Sequence, residues 1–127
     1  MFFIRHVRLV TLASLCIVAT GPASADQRTA AKSAARAVIG NTVHGGVSAG
    51  EFYDYYMPNG SVMLRSVRGD TTQGRWTIEN DNLCIDYPGN TKACYEVRRK
   101  GRSFDMINIS SGEIFHDRLL RGNPRHL

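Results

Sequence analysis

The pattern of apolar and polar positions changes near residue 40. Over residues 26–39, Ala30, Ala34 and Val38 recur every four residues, which is typical of one apolar stripe on a helix. Gly40 follows directly, and glycine commonly ends a helix because it tolerates the left-handed conformation. We therefore predict one N-terminal helix over residues 26–39, whose alanine-rich stripe packs against the rest of the domain.

Over residues 40–120, short runs of alternating apolar and polar residues are separated by turn residues. The runs recur at spacings of about 8 to 12 residues, as in an antiparallel meander. The seven or eight predicted strands are Thr42–His44, Glu51–Met57, Ser61–Val67, Arg75–Glu79, Leu83–Tyr87, Lys92–Arg98, Ser103–Ile109 and Ile114–Leu119. We predict a mainly β fold in which this meander closes as a small barrel or a curled sandwich. Residues 121–127 are predicted to form a loose C-terminal tail.

The strand at 103–109 has apolar residues on both faces. Phe104 and Met106 share one side, whereas Ile107 and Ile109 lie on the other. Either a bulge or two buried faces would account for this pattern, and the sequence does not choose between them.

The first 25 residues carry the features of an export signal. Arg5 and Arg8 precede an uncharged run over residues 9–20, and Ala23-Ser24-Ala25 supplies the small residues that signal peptidase accepts. The apolar run is shorter than the roughly 20 residues that a membrane span needs. We therefore predict cleavage after residue 25, a location in the periplasm or outside the cell, and no stable membrane insertion afterwards. An uncleaved N-terminal anchor is the alternative.

The net charge of the chain argues against one class of partner. Loss of Arg5 and Arg8 with the leader would lower the formal net charge from +5 to +3, and only residues 98–102 form a basic cluster. Nucleic-acid binding needs a stronger field and a recognisable module, so we expect no nucleic-acid partner.

Two cysteines lie beyond the leader, Cys84 and Cys94, and in an exported chain they predict a disulfide. A pair of metal thiolates is the alternative, although two sulfurs alone make an incomplete zinc site. If the two cysteines face each other on neighbouring strands, Leu83 lies opposite Tyr95 and Ile85 lies opposite Ala93. The bridge would then join the polar face of a hairpin, and the apolar residues would share the other face.

An aromatic strand supplies a candidate binding surface. Tyr53, Tyr55 and Tyr56 follow Phe52, and tyrosine gives broad amphipathic contacts at low entropic cost. These three tyrosines are predicted to form a binding patch, with ordinary packing as the alternative.

Two short motifs resemble catalytic ones but occur in the wrong context. Residues 46–50 match the letters of a Gly-x-Ser-x-Gly elbow around Ser48, yet an elbow joins a strand to a helix, and here a strand follows. His116 and Asp117 are adjacent in a strand, so their side chains point to opposite faces and cannot act as a dyad. We therefore predict no catalytic residue, no metal site and no cofactor.

Several motifs occur together in one order along the chain, namely Gly40-Asn41-Thr42, Pro58-Asn59-Gly60, Gly74-x-Trp76, Leu83-Cys84 and Ala93-Cys94-Tyr95. In this the chain resembles a family of small exported proteobacterial proteins that is catalogued only as a domain of unknown function. The resemblance covers roughly residues 30–109 and implies a one-domain secreted β-protein without assigning an activity. The architecture is also similar to that of lipocalin-like barrels.

These observations lead to an expectation of an exported, non-enzymatic small β-domain. It is expected to bind either a small apolar ligand or a protein partner in the cell envelope. An inhibitor of an exported hydrolase, such as a protease, is the alternative, and an enzyme is the third class considered. A ligand carrier should contain a lined cavity of about 300 Å³ or more.

Overall fold

The computed structural model describes residues 34–48, 50–101 and 103–127. The described chain forms eight antiparallel strands in a meander, and the last strand pairs with the first to close a barrel. The strands are β1 Thr42–Val47, β2 Gly50–Tyr56, β3 Ser61–Arg65, β4 Thr71–Glu79, β5 Asn82–Asp86, β6 Ala93–Lys100, β7 Ser103–Asn108 and β8 Ile114–Leu120. The predicted fold class is confirmed, and the closed form is a barrel.

Two strands extend further than the sequence pattern indicated. β1 continues beyond the predicted end at His44 through Gly45 and Gly46, and β4 begins at Thr71, four residues before the predicted start at Arg75. Both extensions are held by backbone pairing with a neighbour, as in the pair between Leu64 and Thr72. Backbone pairing does not depend on side-chain polarity, so a local pattern of polar or glycine residues underestimates strand length.

Alternation divides the wall into an inner and an outer face, because residues that lie opposite each other across a ladder share a face. Val62 pairs with Gly74, and Trp76 pairs with Ile85, so these residues all point inward. The inner face holds the apolar core, whose buried strand members are Val43, Tyr56, Val62, Leu83, Ile85, Val97, Phe104 and Met106.

The ambiguous strand at 103–109 is regular. Phe104 and Met106 are buried in the core, whereas Ile107 pairs with Ile114 on the outer face. Ile109 and Ile114 are both about half exposed, at 54% and 51%. The pattern therefore reflects apolar residues on the outer surface, and neither a bulge nor two buried faces.

A helical turn covers one end of the barrel, where β1 begins and β2 ends. Residues 34–36 are helical, and Ala34, Ala35 and Val38 belong to the core. Gly40 ends the turn with φ +75°, the left-handed conformation expected of it. The rest of the predicted helix over 26–39 and the predicted leader over 1–25 lie outside the described residues. In the described part of the chain, no helix has the length and apolar character needed to span a membrane.

The cysteines confirm the predicted register. Cys84 lies opposite Cys94, Leu83 opposite Tyr95, and Ile85 opposite Ala93. The two Sγ atoms are 2.08 Å apart and form a disulfide between β5 and β6. The bridge lies on the face opposite to that of the buried Leu83 and Ile85, as predicted.

The prediction of a loose tail over 121–127 is wrong. The Thr42 hydroxyl donates to the carbonyl of Gly122 at 2.7 Å, and the Gly122 N–H donates to Asn41 Oδ1 at 2.9 Å. Asn41 also donates to the carbonyl of Ala37, so one side chain links the helical turn to the C-terminal segment. The tail is therefore fixed to the barrel beside the joint between β1 and β8.

Removal of the disulfide should lower the stability of the domain. We expect Cys84→Ser/Cys94→Ser to reduce the free energy of unfolding by roughly 2 to 3 kcal/mol, because the unfolded chain regains the entropy of a short open loop. Urea unfolding under oxidising conditions measures the difference. The wild type in reducing buffer should match the variant, and equal stability of the oxidised wild type and the variant would contradict the expectation.

Candidate functional site

The barrel contains a cavity of about 290 Å³ at the end opposite to the helical turn. We call this end the open end; it is formed by the loops that connect β1 to β2, β3 to β4, β5 to β6, and β7 to β8. The cavity is lined by Phe52, Asp54, Ile85, Tyr87, Asn90, Thr91, Ala93, Tyr95, Met106, Phe115 and Asp117. Its wall is therefore mainly aromatic and aliphatic, with two carboxyl groups among the polar members.

Two inward-facing glycines make room for side chains at the cavity wall. A Cβ atom at Gly45 would collide with the Phe52 ring and with Oδ1 of Asp117. A Cβ atom at Gly74 would lie 2.6 Å from the Tyr87 ring. Glycine at these positions is therefore required by close packing, and both sites lie beside side chains that line the cavity.

Asp54 lies on the inner face of β2 and is 7% exposed. Its Oδ1 atom accepts a hydrogen bond of 2.9 Å from the Tyr87 hydroxyl. Burial raises the pKa of Asp54 to about 7; the Tyr87 hydrogen bond lowers the pKa, and the charge of Asp117 raises it further. The carboxyl group therefore exchanges its proton near neutral pH.

Asp117 lies on the inner face of β8 and is 6% exposed. Burial raises its pKa to about 6, with a further increase from the charge of Asp105 and a decrease from His116. His116 points outward and contacts Asp105 at 2.8 Å. The expectation that His116 and Asp117 point to opposite faces is therefore met.

Three tyrosines surround the carboxyl groups. Burial raises the pKa values of Tyr56, Tyr87 and Tyr95, and the charge of Asp54 raises them further. These hydroxyls therefore stay protonated and act as neutral hydrogen-bonding groups. The Tyr56 hydroxyl is buried and has no hydrogen-bond partner among the described residues.

The predicted tyrosine patch does not form one surface. Tyr56 points inward and is fully buried, so its assignment to the patch with Tyr53 and Tyr55 is corrected. The cause is the alternation of a strand, which separates neighbouring residues onto opposite faces.

Tyr53 lies on the outer face but is covered by other side chains. The His44 ring stacks on it at 4.5 Å between ring centroids, and the Arg125 guanidinium lies 4.5 Å from its ring centroid. Arg125 also donates to the Tyr53 hydroxyl at 2.9 Å. Tyr53 is therefore 8% exposed and serves as an anchor for the C-terminal segment, while Tyr55 is partly exposed.

The Ser48 motif and the cysteine pair lie in surroundings that differ from those of a catalytic or a metal site. Gly46 and Gly50 lie in β1 and β2, so the segment around Ser48 is a hairpin and has none of the strand-to-helix context of a nucleophile elbow. Glu79 lies near the sulfurs of Cys84 and Cys94, but these sulfurs are bonded to each other and offer no thiolate. Glu79 instead pairs with Lys92.

The sequence analysis missed Asp54 and Asp117 as site residues, although a signal for both is present. Each aspartate has large apolar residues two positions before and after it: Phe52 and Tyr56 flank Asp54, and Phe115 and Leu119 flank Asp117. In a strand, residues two apart share a face, so this pattern predicts an aspartate on the apolar face. A buried charged group without a protein cation marks a candidate functional site.

Comparison with known proteins yields no matching family model and no matching curated protein. The resemblance drawn from the motifs of residues 30–109 therefore stays a prediction, and the site must be interpreted from its own geometry.

A methyl group at Gly45 should disturb both the core and the cavity. We expect Gly45→Ala to lower the free energy of unfolding by about 1 to 3 kcal/mol, because Phe52 and Asp117 must move to admit the new atom. Gly46→Ala is the matched control: it points outward, its Cβ atom would contact nothing within 4 Å, and its effect should stay within about 0.5 kcal/mol. Equal effects of the two substitutions in urea unfolding would contradict the packing described.

Stability should depend on pH through the buried carboxyl groups. The ordinary pKa of aspartate is about 3.9, so between about pH 4 and pH 7 the folded state keeps protons that the unfolded state releases. The free energy of unfolding should therefore fall as pH rises through this range and level off above about pH 7.

Asp54→Asn should make the decrease in the free energy of unfolding between about pH 4 and pH 7 smaller by about 2 to 4 kcal/mol. One pKa unit corresponds to about 1.4 kcal/mol. Urea unfolding at several pH values measures the slope, and Asp86→Asn, at an exposed aspartate of β5, should retain the wild-type slope. A wild-type slope in Asp54→Asn would show that Asp54 carries no raised pKa.

Proposed function

We propose that this protein is a non-enzymatic binding domain that holds a small, largely apolar ligand in the cavity at the open end of the barrel. The observation that carries the proposal is the cavity of about 290 Å³ with aromatic walls and few polar groups. This volume is at the lower limit for small-molecule sites, which are mostly apolar with a few placed polar groups.

The size of the cavity limits the ligand. An apolar cavity of about 150 Å³ is large enough for benzene. A cavity of about 290 Å³ therefore suits a molecule with a single ring or a short branched chain, together with one polar group. The rings of Phe52, Tyr87, Tyr95 and Phe115 would supply most of the contact area.

We further propose that the domain acts in the periplasm or after secretion. The disulfide between Cys84 and Cys94 is compatible with an oxidising compartment, and the pattern of residues 1–25 suggests export. The described residues offer less support for an inhibitor that uses a projecting C-terminal segment, because residues 121–127 are fixed to the barrel.

Acid–base catalysis is a second candidate, favoured by one observation. Asp54 and Asp117 both border the same cavity, and carboxyl groups with pKa values of about 7 and about 6 can accept or donate protons near neutral pH. The binding proposal predicts that a bound molecule is recovered unchanged, whereas catalysis predicts its chemical conversion during incubation.

A larger side chain inside the cavity should weaken binding. Ala93 lines the cavity, and Ala93→Leu should weaken the binding of the probe benzyl alcohol by about tenfold or more, because the larger side chain occupies the ligand's volume. Lys100→Leu places the same side chain at an exposed position of β6 and should bind as the wild type does.

A ¹H–¹⁵N NMR titration with benzyl alcohol measures both the affinity and the site. Shifts should concentrate at cavity residues such as Phe52, Tyr95 and Met106. A titration without changes at these residues, or with equal affinity in Ala93→Leu, would overturn the proposed function.

A further inference from the structure

The charges of the cavity are not balanced within the described residues. Asp54 and Asp117 both border the cavity, yet no lysine, arginine or histidine lines it. The four ion pairs of the described chain involve other acids, namely Glu51, Glu79, Glu96 and Asp105. The cavity therefore presents negative charge whenever the two aspartates lose their protons.

Asp54 and Asp117 lie on β2 and β8, the two strands that flank β1, and both line the cavity. Val43 pairs with Asp54 on one side and with Leu119 on the other, which places Asp117 beside Gly45 on the inner face. The Phe52 ring and the Asp117 carboxyl group both lie over Gly45, which has no side chain. Glycine at this position thus admits Asp117 to the wall of the cavity that Asp54 also borders.

The carboxyl groups of Asp54 and Asp117 can both accept further hydrogen bonds. Asp54 accepts one hydrogen bond, from Tyr87, and Asp117 accepts none from the described residues although it is 6% exposed. A buried carboxylate in a folded protein is normally paired or hydrogen-bonded several times. Asp117, which has no hydrogen-bond partner among the described residues, can therefore accept a hydrogen bond from a cationic or hydrogen-donating partner that enters the cavity.

The rest of the wall suits the same kind of partner. The rings of Phe52, Tyr87, Tyr95 and Phe115 line the cavity, and Tyr95 and Phe115 meet edge to face at 6.2 Å between centroids. Aromatic faces attract organic cations and also pack against apolar groups. A ligand with a protonated nitrogen on a small apolar body would satisfy both the acids and the rings.

We propose that the cavity binds a small organic ammonium ion, with its nitrogen held by the carboxylates of Asp54 and Asp117 and its apolar part against the aromatic wall. This inference rests on the proposed function, since it names the class of ligand for the same cavity. It differs from the sequence-based expectation of a purely apolar ligand.

The groups that face the two acids define the pH behaviour. Asp54 faces Tyr87, Tyr56 and Asp117, while Asp117 is influenced by Asp105 and His116. Binding of a cation requires the ionised carboxylates, so affinity for an ammonium ion should rise between about pH 5 and pH 8. Affinity for a neutral ligand of the same shape should change far less over this range.

Two isosteric probes test the inference on the full chain. Benzylamine is cationic near neutral pH, whereas benzyl alcohol is neutral and has nearly the same shape. At pH 7.5 benzylamine should bind at least about tenfold more tightly than benzyl alcohol, in keeping with the strength of hydrogen bonds to charged groups. In Asp54→Asn/Asp117→Asn the two affinities should converge, and in Asp86→Asn the difference should persist.

The outcomes separate the two proposals. Equal affinities for the two probes, with shifts at cavity residues, would overturn the ammonium inference and leave the binding function intact. An absence of cavity shifts with either probe would overturn both. Preference for benzylamine that persists in the double variant would show that the cation binds elsewhere, and would also overturn the inference.

Discussion

The backbone ladder between β1 and β8 is the constraint on which the rest of the structure depends. It pairs Thr42 with Leu120, Val43 with Leu119 and His44 with Arg118, and so converts an open meander into a closed barrel. Closure removes both edge strands and gives every inward side chain a neighbour on all sides. The contacts of Asn41 and Thr42 with Gly122 strengthen the same joint. An inward aspartate therefore becomes buried as a consequence of closure.

The two ends of the barrel differ in how they are filled. The helical turn brings Ala34, Ala35 and Val38 into the core at one end. At the other end, the two close-packed glycines let Phe52 and Tyr87 lie against the wall, and the space in front of these rings stays open. Burial of Asp54 and Asp117 there costs free energy, which the hydrogen bond from Tyr87 offsets only in part. A feature that reduces stability in this way is typical of a functional site.

Most of the fold could be predicted from the sequence, because alternation and turn residues act locally. The register at Cys84 and Cys94 followed from two neighbouring strands, and the fold class followed from the spacing of turns. Closure through β1 and β8 joins residues near 42 to residues near 120, and no local pattern encodes such a pairing. The attachment of Arg125 to Tyr53 was missed for the same reason, since it joins residues 72 positions apart.

The candidate site was missed for a different reason. Catalytic motifs and aromatic clusters are continuous along the chain, whereas the site is formed by single inward residues of separate strands. The sequence does show that each aspartate has an apolar residue two positions before it and another two positions after it. Their significance depends on closure, because the same pattern on an open sheet could leave the carboxyl groups in water.

The central claim is that Asp54 and Asp117 are buried inside a closed barrel and face its cavity. Carbon-detected NMR of the two side-chain carboxyl groups, followed across a pH titration of the ligand-free protein, tests this claim most directly. The pair should titrate with apparent midpoints of about 7 and about 6. Titration of both groups near the ordinary aspartate pKa of about 4 would contradict it.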